Sequence, residues 1–361
     1  MSQWRRDLLE WISPGRVRRS AIPPLEAGLR PDDRLDRAPQ WGGPFDPLML
    51  DDVALLGNDL VVTAANKVLR WDGERFVALV ELPDRAGAIT PVPDGVVVAV
   101  DGLGLVRVFA DGTTEAVSTD TRLAGCVTAM TALVDGSLLV CIGSTETTDW
   151  ARNLVSRRAT GKLLRVSGGN TEVVATELAW PAGVAADGED GFYLSLSAAY
   201  RIERRSLASS RKPEVVLGNL PASPGRIRAT DVPGEWWVAA PYMRNRATEL
   251  LLEDDDLLEE MVNKTEPDSW LVPRLSVENH FRAPLQVGQI RVLGEIKPWA
   301  PPRTYGLVFK FAKSGRVIES AHSRADGARH GVTGVQPMPD GSLVVVCRGA
   351  GAVLTLGVDG S

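Results

Sequence analysis

The chain contains no apolar run of the about 18 residues that a membrane-spanning helix needs. Its N-terminus shows no apolar core followed by a small-residue cleavage site, so a cytoplasmic location is the expectation. Cysteine is scarce: Cys126, Cys141 and Cys347 are an odd number, each in or beside an apolar run, which predicts core thiols in a reducing compartment rather than a disulfide framework. Histidine and cysteine show no zinc spacing, and no Gly-Lys-Ser/Thr phosphate loop is present. Gly102-Leu103-Gly104 follows a strand pattern but opens no helix, and Ser323 lacks the strand-turn-helix elbow of a hydrolase serine. An excess of positive charge is missing as well. The 46 acidic and 40 basic residues are interspersed, for a net charge of -6, which removes nucleic acid as a partner. Long amphipathic helices between strand patterns are nearly absent, which argues against a parallel sheet with crossover helices.

What is there is a recurring unit of a short apolar run, a tight-turn signal, a second apolar strand and a third strand. Its six copies turn at Asn58-Asp59, Pro93-Asp94-Gly95, Asp135-Gly136, Glu189-Asp190-Gly191, Pro233-Gly234-Glu235 and Asp340-Gly341. Such turns demand positive φ, which glycine supplies without steric cost. Successive turns stand about 35 to 55 residues apart except across one long gap, the period of a four-stranded propeller blade. The expected fold is all-β, a six-bladed β-propeller over residues 41–361, preceded by an N-terminal helix and arm over residues 1–40. Residues 143–160 and 241–304 break the period between the second and third strand of their blades, which places both over one mouth of the channel. The larger insertion predicts a lid with a helix from about Thr248 to Val262 carrying the acidic run Glu253 to Asp256, followed by a proline-rich arm at Pro298, Pro301 and Pro302. At the N-terminus, Trp4, Leu8, Trp11 and Ile12 share one helical face, which suits docking on the protein's own body or on a second copy of the chain.

Residues Ala21 to Pro31, Thr160 to Val166, Trp180-Pro181-Ala182-Gly183-Val184-Ala185 and Leu220 to Arg228 resemble the strictosidine synthase-like propellers, whose wider superfamily includes gluconolactonases and calcium-dependent lactonases. The order of these segments spans residues 20 to 361. The resemblance implies a ligand site at one end of the channel. Lactonases of this group hold a divalent cation there with a glutamate and asparagine or aspartate side chains. Motif by motif, the positions that match carry Phe45 in Gly43-Pro44-Phe45-Asp46, Ala182 in Pro181-Ala182-Gly183-Val184, and Gly225 with Arg226 in Pro224-Gly225-Arg226-Ile227-Arg228. No metal and no cofactor is therefore expected. The glutamate of strictosidine synthase corresponds to Thr333 in Val332-Thr333-Gly334-Val335-Gln336, which argues against the same condensation.

Two of the three histidines fall in His322-Ser323-Arg324-Ala325-Asp326-Gly327-Ala328-Arg329-His330, the link between blades five and six. Imidazoles beside an acid and arginines suit proton transfer near neutral pH, so His330, His322 and Asp326 are the candidate acid–base groups. The bland alternative is a hydrogen-bonded loop in which Asp326 neutralises Arg324 or Arg329. Arg226 stands at the start of an innermost strand, where a buried guanidinium needs a partner, either Asp46 across the channel or the anionic group of a ligand. Glu146 and Trp150 in the first insertion, and Arg324, Tyr242 and Tyr305 near the second, complete the candidate substrate contacts. The leading expectation is a metal-independent enzyme acting on a small anionic ester or lactone at the channel mouth. A non-catalytic small-molecule-binding or scaffold propeller, and a Pictet–Spengler-type condensing enzyme, are the alternatives.

Overall fold

A computed structural model describes residues 22–208, 212–276 and 303–357. Among the described residues, six blade sheets follow one another along the chain, with a two-stranded ribbon of Ala222–Ser223 and Tyr242–Met243 beside them. Blade 1 comprises Leu50–Leu56, Asp59–Ala64, Lys67–Trp71 and Phe76–Glu81; blade 2 comprises Ala86–Val92, Gly95–Val100, Gly104–Val108 and Thr114–Ser118. Blade 3 comprises Val127–Ala132, Leu138–Ile142, Gly161–Ser167 and Asn170–Leu178; blade 4 comprises Pro181–Asp187, Gly191–Leu196, Arg201–Ser206 and Glu214–Leu217. Blade 5 is built from Ile227–Ala229, Glu235–Ala240, Gly306–Ala312 and Val317–Ser323, and blade 6 from Val332–Pro337, Leu343–Cys347 and Ala352–Leu356. The first strand of each blade packs against the first strands of the blades before and after it, and blade 6 returns to blade 1, so the ring is closed.

Closure uses the chain's own N-terminal arm. Blade 6 has three strands of its own, and Gln40 bridges Leu354 at its outer edge. Trp41 N donates to Val353 O at 2.8 Å, Thr355 N to Pro39 O at 2.9 Å and Phe45 N to Gly351 O at 2.8 Å. Covering this edge removes a row of unpaired backbone groups that would otherwise template aggregation. Trp41 then packs edge-on against Trp71 of blade 1 and donates from Nε1 to Thr355 Oγ1 at 2.6 Å, which joins the first blade to the last.

The turn signals act as their chemistry requires. At Asp135-Gly136-Ser137 the glycine takes φ 81°, while Asp135 Oδ1 accepts from Ser137 N at 3.0 Å and Ser137 Oγ at 2.6 Å. Asp340-Gly341-Ser342 repeats this geometry in blade 6. The second strands are buried throughout or nearly so, as expected of strands covered by neighbouring blades on both faces. Cys141 and Cys347 lie fully buried among them, and burial pushes the Cys347 thiol up to about 12, which leaves it inert.

Both insertions fall between the second and third strands of their blades. The first carries a helix, Trp150–Ser156, capped by the Asp149 carboxylate, which accepts from Ala151 N at 2.7 Å. The single helix expected from Thr248 to Val262 is two, Arg246–Glu253 and Asp255–Lys264. The acidic run is the break: Asp254 adopts extended backbone and its side chain accepts from Leu257 N at 3.0 Å, capping the second helix. Trp150 and Leu154 of the first insertion and Leu251, Leu258, Met261 and Trp270 of the second bury against one another and against Trp180, so the two insertions form one lid with its own apolar core. Arg157 ties them at the surface, 2.7 Å from Asp255 and donating to Leu252 O at 3.1 Å. The amphipathic segment around Trp4 and the proline arm at Pro298 to Pro302 lie outside the described residues. No helix among the described residues is long and apolar enough to cross a membrane.

Candidate functional site

A cavity of about 1580 Å³ occupies the end of the channel at which the innermost strands begin, under the lid. Most of those strand starts are irregular. The ladder slips between Leu50 and Val53 in blade 1, Ala86 and Ile89 in blade 2, Pro181 and Gly183 in blade 4, and Val332 and Gly334 in blade 6. A bulge re-aims side chains that strict alternation would send to opposite faces. Consecutive residues Asp51 and Asp52 both reach the axis in this way, and both are buried.

Arg226 lies between them. Its Nη2 bonds Asp51 Oδ1, its Nε stands 3.2 Å from Asp52 Oδ2, and Arg228 Nη2 approaches the same Asp52 oxygen at 3.3 Å. Arg226 also donates to three main-chain carbonyls of other blades: Thr128 O of blade 3 at 3.0 Å, Asp51 O of blade 1 at 2.7 Å and Thr333 O of blade 6 at 3.1 Å. A guanidinium from blade 5 therefore links blades 1, 3 and 6 across the axis. Burial works against its charge, but Asp52 and Asp51 outweigh that and hold it protonated. The second oxygen of Asp51 accepts from Arg85 Nη2 at 2.6 Å and Arg348 Nη1 at 2.7 Å, so one carboxylate serves three guanidiniums, which more than offset its burial and hold its pKa well below the usual range.

Two expectations are corrected here. Asp46 is exposed and is not the partner of Arg226; Asp51 and Asp52 are. Phe45 does not face the channel: its segment is committed to closing the ring, and its ring packs 5.8 Å from Phe76. Ala182, Arg226 and Thr333 do line the cavity. The resembling lactonases would require free hard oxygens at this end. Here both axial carboxylates and the three nearest carbonyls already bond to guanidinium groups, and among the described residues no three acidic, His or Cys side chains gather around a point. The residues present do not fit a divalent cation.

The remaining predicted contacts separate into two groups. Trp150 and Tyr242 line the cavity as a parallel stack, centroids 4.9 Å apart and planes 3° apart, with Trp180 edge-on to Trp150 at 5.5 Å. Burial pushes the Tyr242 hydroxyl pKa up, so the phenol is neutral. By contrast, His322 is buried on Val317–Ser323 with Tyr305 Oη 3.1 Å from Nδ1 and Ser320 Oγ 2.9 Å from Nε2, and burial lowers its pKa to about 4. His330 is buried with Nε2 donating to Arg324 O at 2.7 Å and Nδ1 2.7 Å from Thr304 Oγ1. Neither imidazole nor Tyr305 lines the cavity, so these three groups hold the loop and the start of the third strand in blade 5 rather than face a ligand. Asp326 lies exposed 3.6 Å from Arg324, and exposed Glu146 pairs with Arg158 at 2.9 Å; the cavity wall of this loop is Gly327 and Ala328 instead.

Sequence reasoning missed Asp51, Arg85, Asp101, Arg274, Arg303 and Arg348 and read Cys126 as a core thiol, whereas all seven line the cavity wall. Asp101 follows the second strand of blade 2, and its N donates to Arg85 O at 3.0 Å. Desolvation raises the Asp101 pKa, with Asp51 and Asp84 adding to it and Arg85 opposing. Cys126 faces the cavity, but burial pushes its thiol up to about 11, which removes it as a nucleophile near neutral pH.

No known sequence family and no curated protein matches the chain. Solved structures do. The calcium-binding protein regucalcin from Agrobacterium tumefaciens superposes with a TM-score of 0.56 at 13% identity over 88% of this chain and 91% of that one. A gluconolactonase from Xanthomonas campestris superposes with a TM-score of 0.54 at 11% identity over 88% of this chain and 86% of that one. The chain has the regucalcin and gluconolactonase fold. At such identity the likeness concerns the fold alone, and the channel end must be read from its own side chains.

Proposed function

We propose that the chain is a small-molecule hydrolase of the ester or lactone type, acting in the cavity between the channel end and the lid. The observation that carries this reading is Asp101. It is a solvent-exposed carboxyl group on the wall of a large concave site that also carries Arg85 and Arg348; partial desolvation pushes its pKa up, and the two guanidiniums oppose that shift without cancelling it. A carboxylate whose proton affinity is raised is a better base than an ordinary surface aspartate. In this scheme Asp101 takes a proton from water as the oxygen adds to the acyl carbon. Arg85 and Arg348, each bonded to Asp51 through one nitrogen, have further N–H donors for the negative charge that develops on the carbonyl oxygen. The acyl C–O bond then breaks, the Asp101 proton passes to the departing oxygen, and an acid and an alcohol result. The gluconolactonase neighbour supports the choice of reaction class.

Hydrolysis of a panel of aryl esters and five- and six-membered lactones, followed by proton release, tests the proposal. Asp101→Asn should lower kcat by about 10²–10⁴-fold while leaving binding in place. Turnover by the wild type should rise with pH through the raised pKa of Asp101, because its deprotonated form is the active one. A second reading, binding without turnover, is favoured by the internal engagement of both imidazoles and of Asp51. Absence of hydrolysis across the panel, with ligands still bound, selects that reading.

A further inference from the structure

The lid contributes a cation that no carboxylate among the described residues neutralises. Arg274 lies on the cavity wall, half-buried, just before the end of the second described stretch. It forms no ion pair among the described residues. Its Nη2 bonds the carbonyl of Pro267, and its Nε is buried without a partner. Every other guanidinium at the axial floor meets a carboxylate: Arg226, Arg85 and Arg348 meet Asp51, and Arg228 meets Asp52. Arg226, which the sequence suggests as an anion receptor, is thus committed to the axis, and the vacant role falls to the lid.

Tyr242 lines the same cavity as Arg274, and the guanidiniums of Arg348 and Arg274 both oppose the upward shift that burial gives the phenol. The Tyr242 hydroxyl has no hydrogen-bond partner among the described residues, and its ring stacks on Trp150. A planar cation and a neutral O–H donor therefore share one cavity wall with the Trp150–Trp180 pair. That is a two-point receptor for a carboxylate, with room for a flat apolar body against Trp150 and Trp180.

The charge balance selects the ligand further. Among the described residues, five arginines and four aspartates line the cavity, an excess of one positive charge. A monoanion matches it, whereas a dianion such as phosphate would meet Asp101, Asp149 and Asp268 with half its charge uncompensated. We infer that the cavity takes a small monoanionic carboxylate with a planar apolar body, held by Arg274 and Tyr242 of the lid. This inference rests on the reading above that the cavity is the ligand site, and it names the class of molecule that the site admits.

Titration of the full chain with benzoate, with its neutral isostere benzamide and with inorganic phosphate, followed by calorimetry and by tryptophan fluorescence, tests it. Benzoate should bind the wild type at least about 10-fold more tightly than either of the others, the scale of a charge-assisted hydrogen bond. Arg274→Gln should weaken benzoate about 10-fold or more and leave benzamide unchanged; Tyr242→Phe should weaken benzoate several-fold. Arg274→Lys, which keeps the charge and loses the fork, should fall between the wild type and Arg274→Gln, and it substitutes for that variant if Arg274→Gln does not fold. Benzoate affinity that is indifferent to Arg274, or phosphate binding tighter than benzoate, would overturn the assignment. A wild type that hydrolyses neutral esters but ignores benzoate would overturn it too, while leaving the hydrolase reading intact. Arg274-dependent benzoate binding with no hydrolysis of any substrate would uphold it and remove the hydrolase reading.

Discussion

Replacing Arg226 with methionine removes the group that joins blades 1, 3, 5 and 6 at the axis, and the structure sets the size of the effect. Asp51 keeps Arg85 and Arg348, and Asp52 keeps Arg228 and the Ile89 amide, so neither carboxylate is left alone. The carbonyls of Asp51, Thr128 and Thr333 each lose the guanidinium donor, while Asp51 O keeps the Thr333 hydroxyl at 2.7 Å. With both carboxylates still paired, the cost is that of carbonyl acceptors left short of a donor, about 1–3 kcal/mol. With an unfolding entropy of about 2.1 cal/mol/K per residue, or about 0.8 kcal/mol/K for the whole chain, the melting temperature should fall by about 1–4 °C. Denaturant unfolding and calorimetry at low and high salt measure it. Because the pairs are buried, the loss should be nearly the same at both ionic strengths. A loss below about 0.5 kcal/mol, or one that vanishes in salt, would show that the axial lattice is a surface ion pair in its energetics and would refute the reasoning.

Two further outcomes follow from the same geometry. His322 is held down at about 4, whereas a histidine in the unfolded chain takes its proton near 6.5, so the unfolded state binds more protons between those values. Its contribution, on the order of 3 kcal/mol in full, is present above that window and lost as pH falls through it; His322→Asn should flatten the dependence of melting temperature on pH there, and an unchanged slope would sink the assignment. At Gly183 a Cβ would collide with the Gly225 carbonyl and meet Ser195 Oγ, so Gly183→Ala should destabilise by about 1–3 kcal/mol and disturb the neighbouring Arg226, measured by unfolding and by ligand titration together.

The blades were legible because a propeller repeats itself: the Asp-Gly turns, the apolar second strands and the interruptions at residues 143–160 and 241–304 are local patterns, and local patterns survive in a single sequence. Trp150, Tyr242 and Arg226 could be placed at the cavity on the same ground, since insertions after second strands and the starts of innermost strands share one end of the channel. What failed depended on register and closure. Asp51 and Asp52 read as neighbours on a strand that should diverge, and only the bulge between Leu50 and Val53 turns both inward. Phe45 and Asp46 were assigned to the channel, but the arm that carries them completes blade 6, a long-range pairing with no local signature. The histidine pair suits proton transfer by its sequence, but neither ring lines the cavity, because whether an imidazole faces a cavity or a hydroxyl partner is set by contacts distant in sequence. Asp101 and Arg274 had no motif at all.

The guanidinium of Arg226 stands between the axial carboxylates Asp51 and Asp52, and on that placement no divalent cation is expected there. Calcium titration of the purified, chelator-treated chain by calorimetry, with the melting temperature recorded at saturating calcium, addresses that claim directly. Binding of a cation to the folded state alone would raise stability by RT ln(1 + [L]/Kd). The expected result is no stoichiometric heat and no shift in melting temperature. One equivalent of calcium bound with a matching rise in stability, abolished by Asp51→Asn, would contradict it.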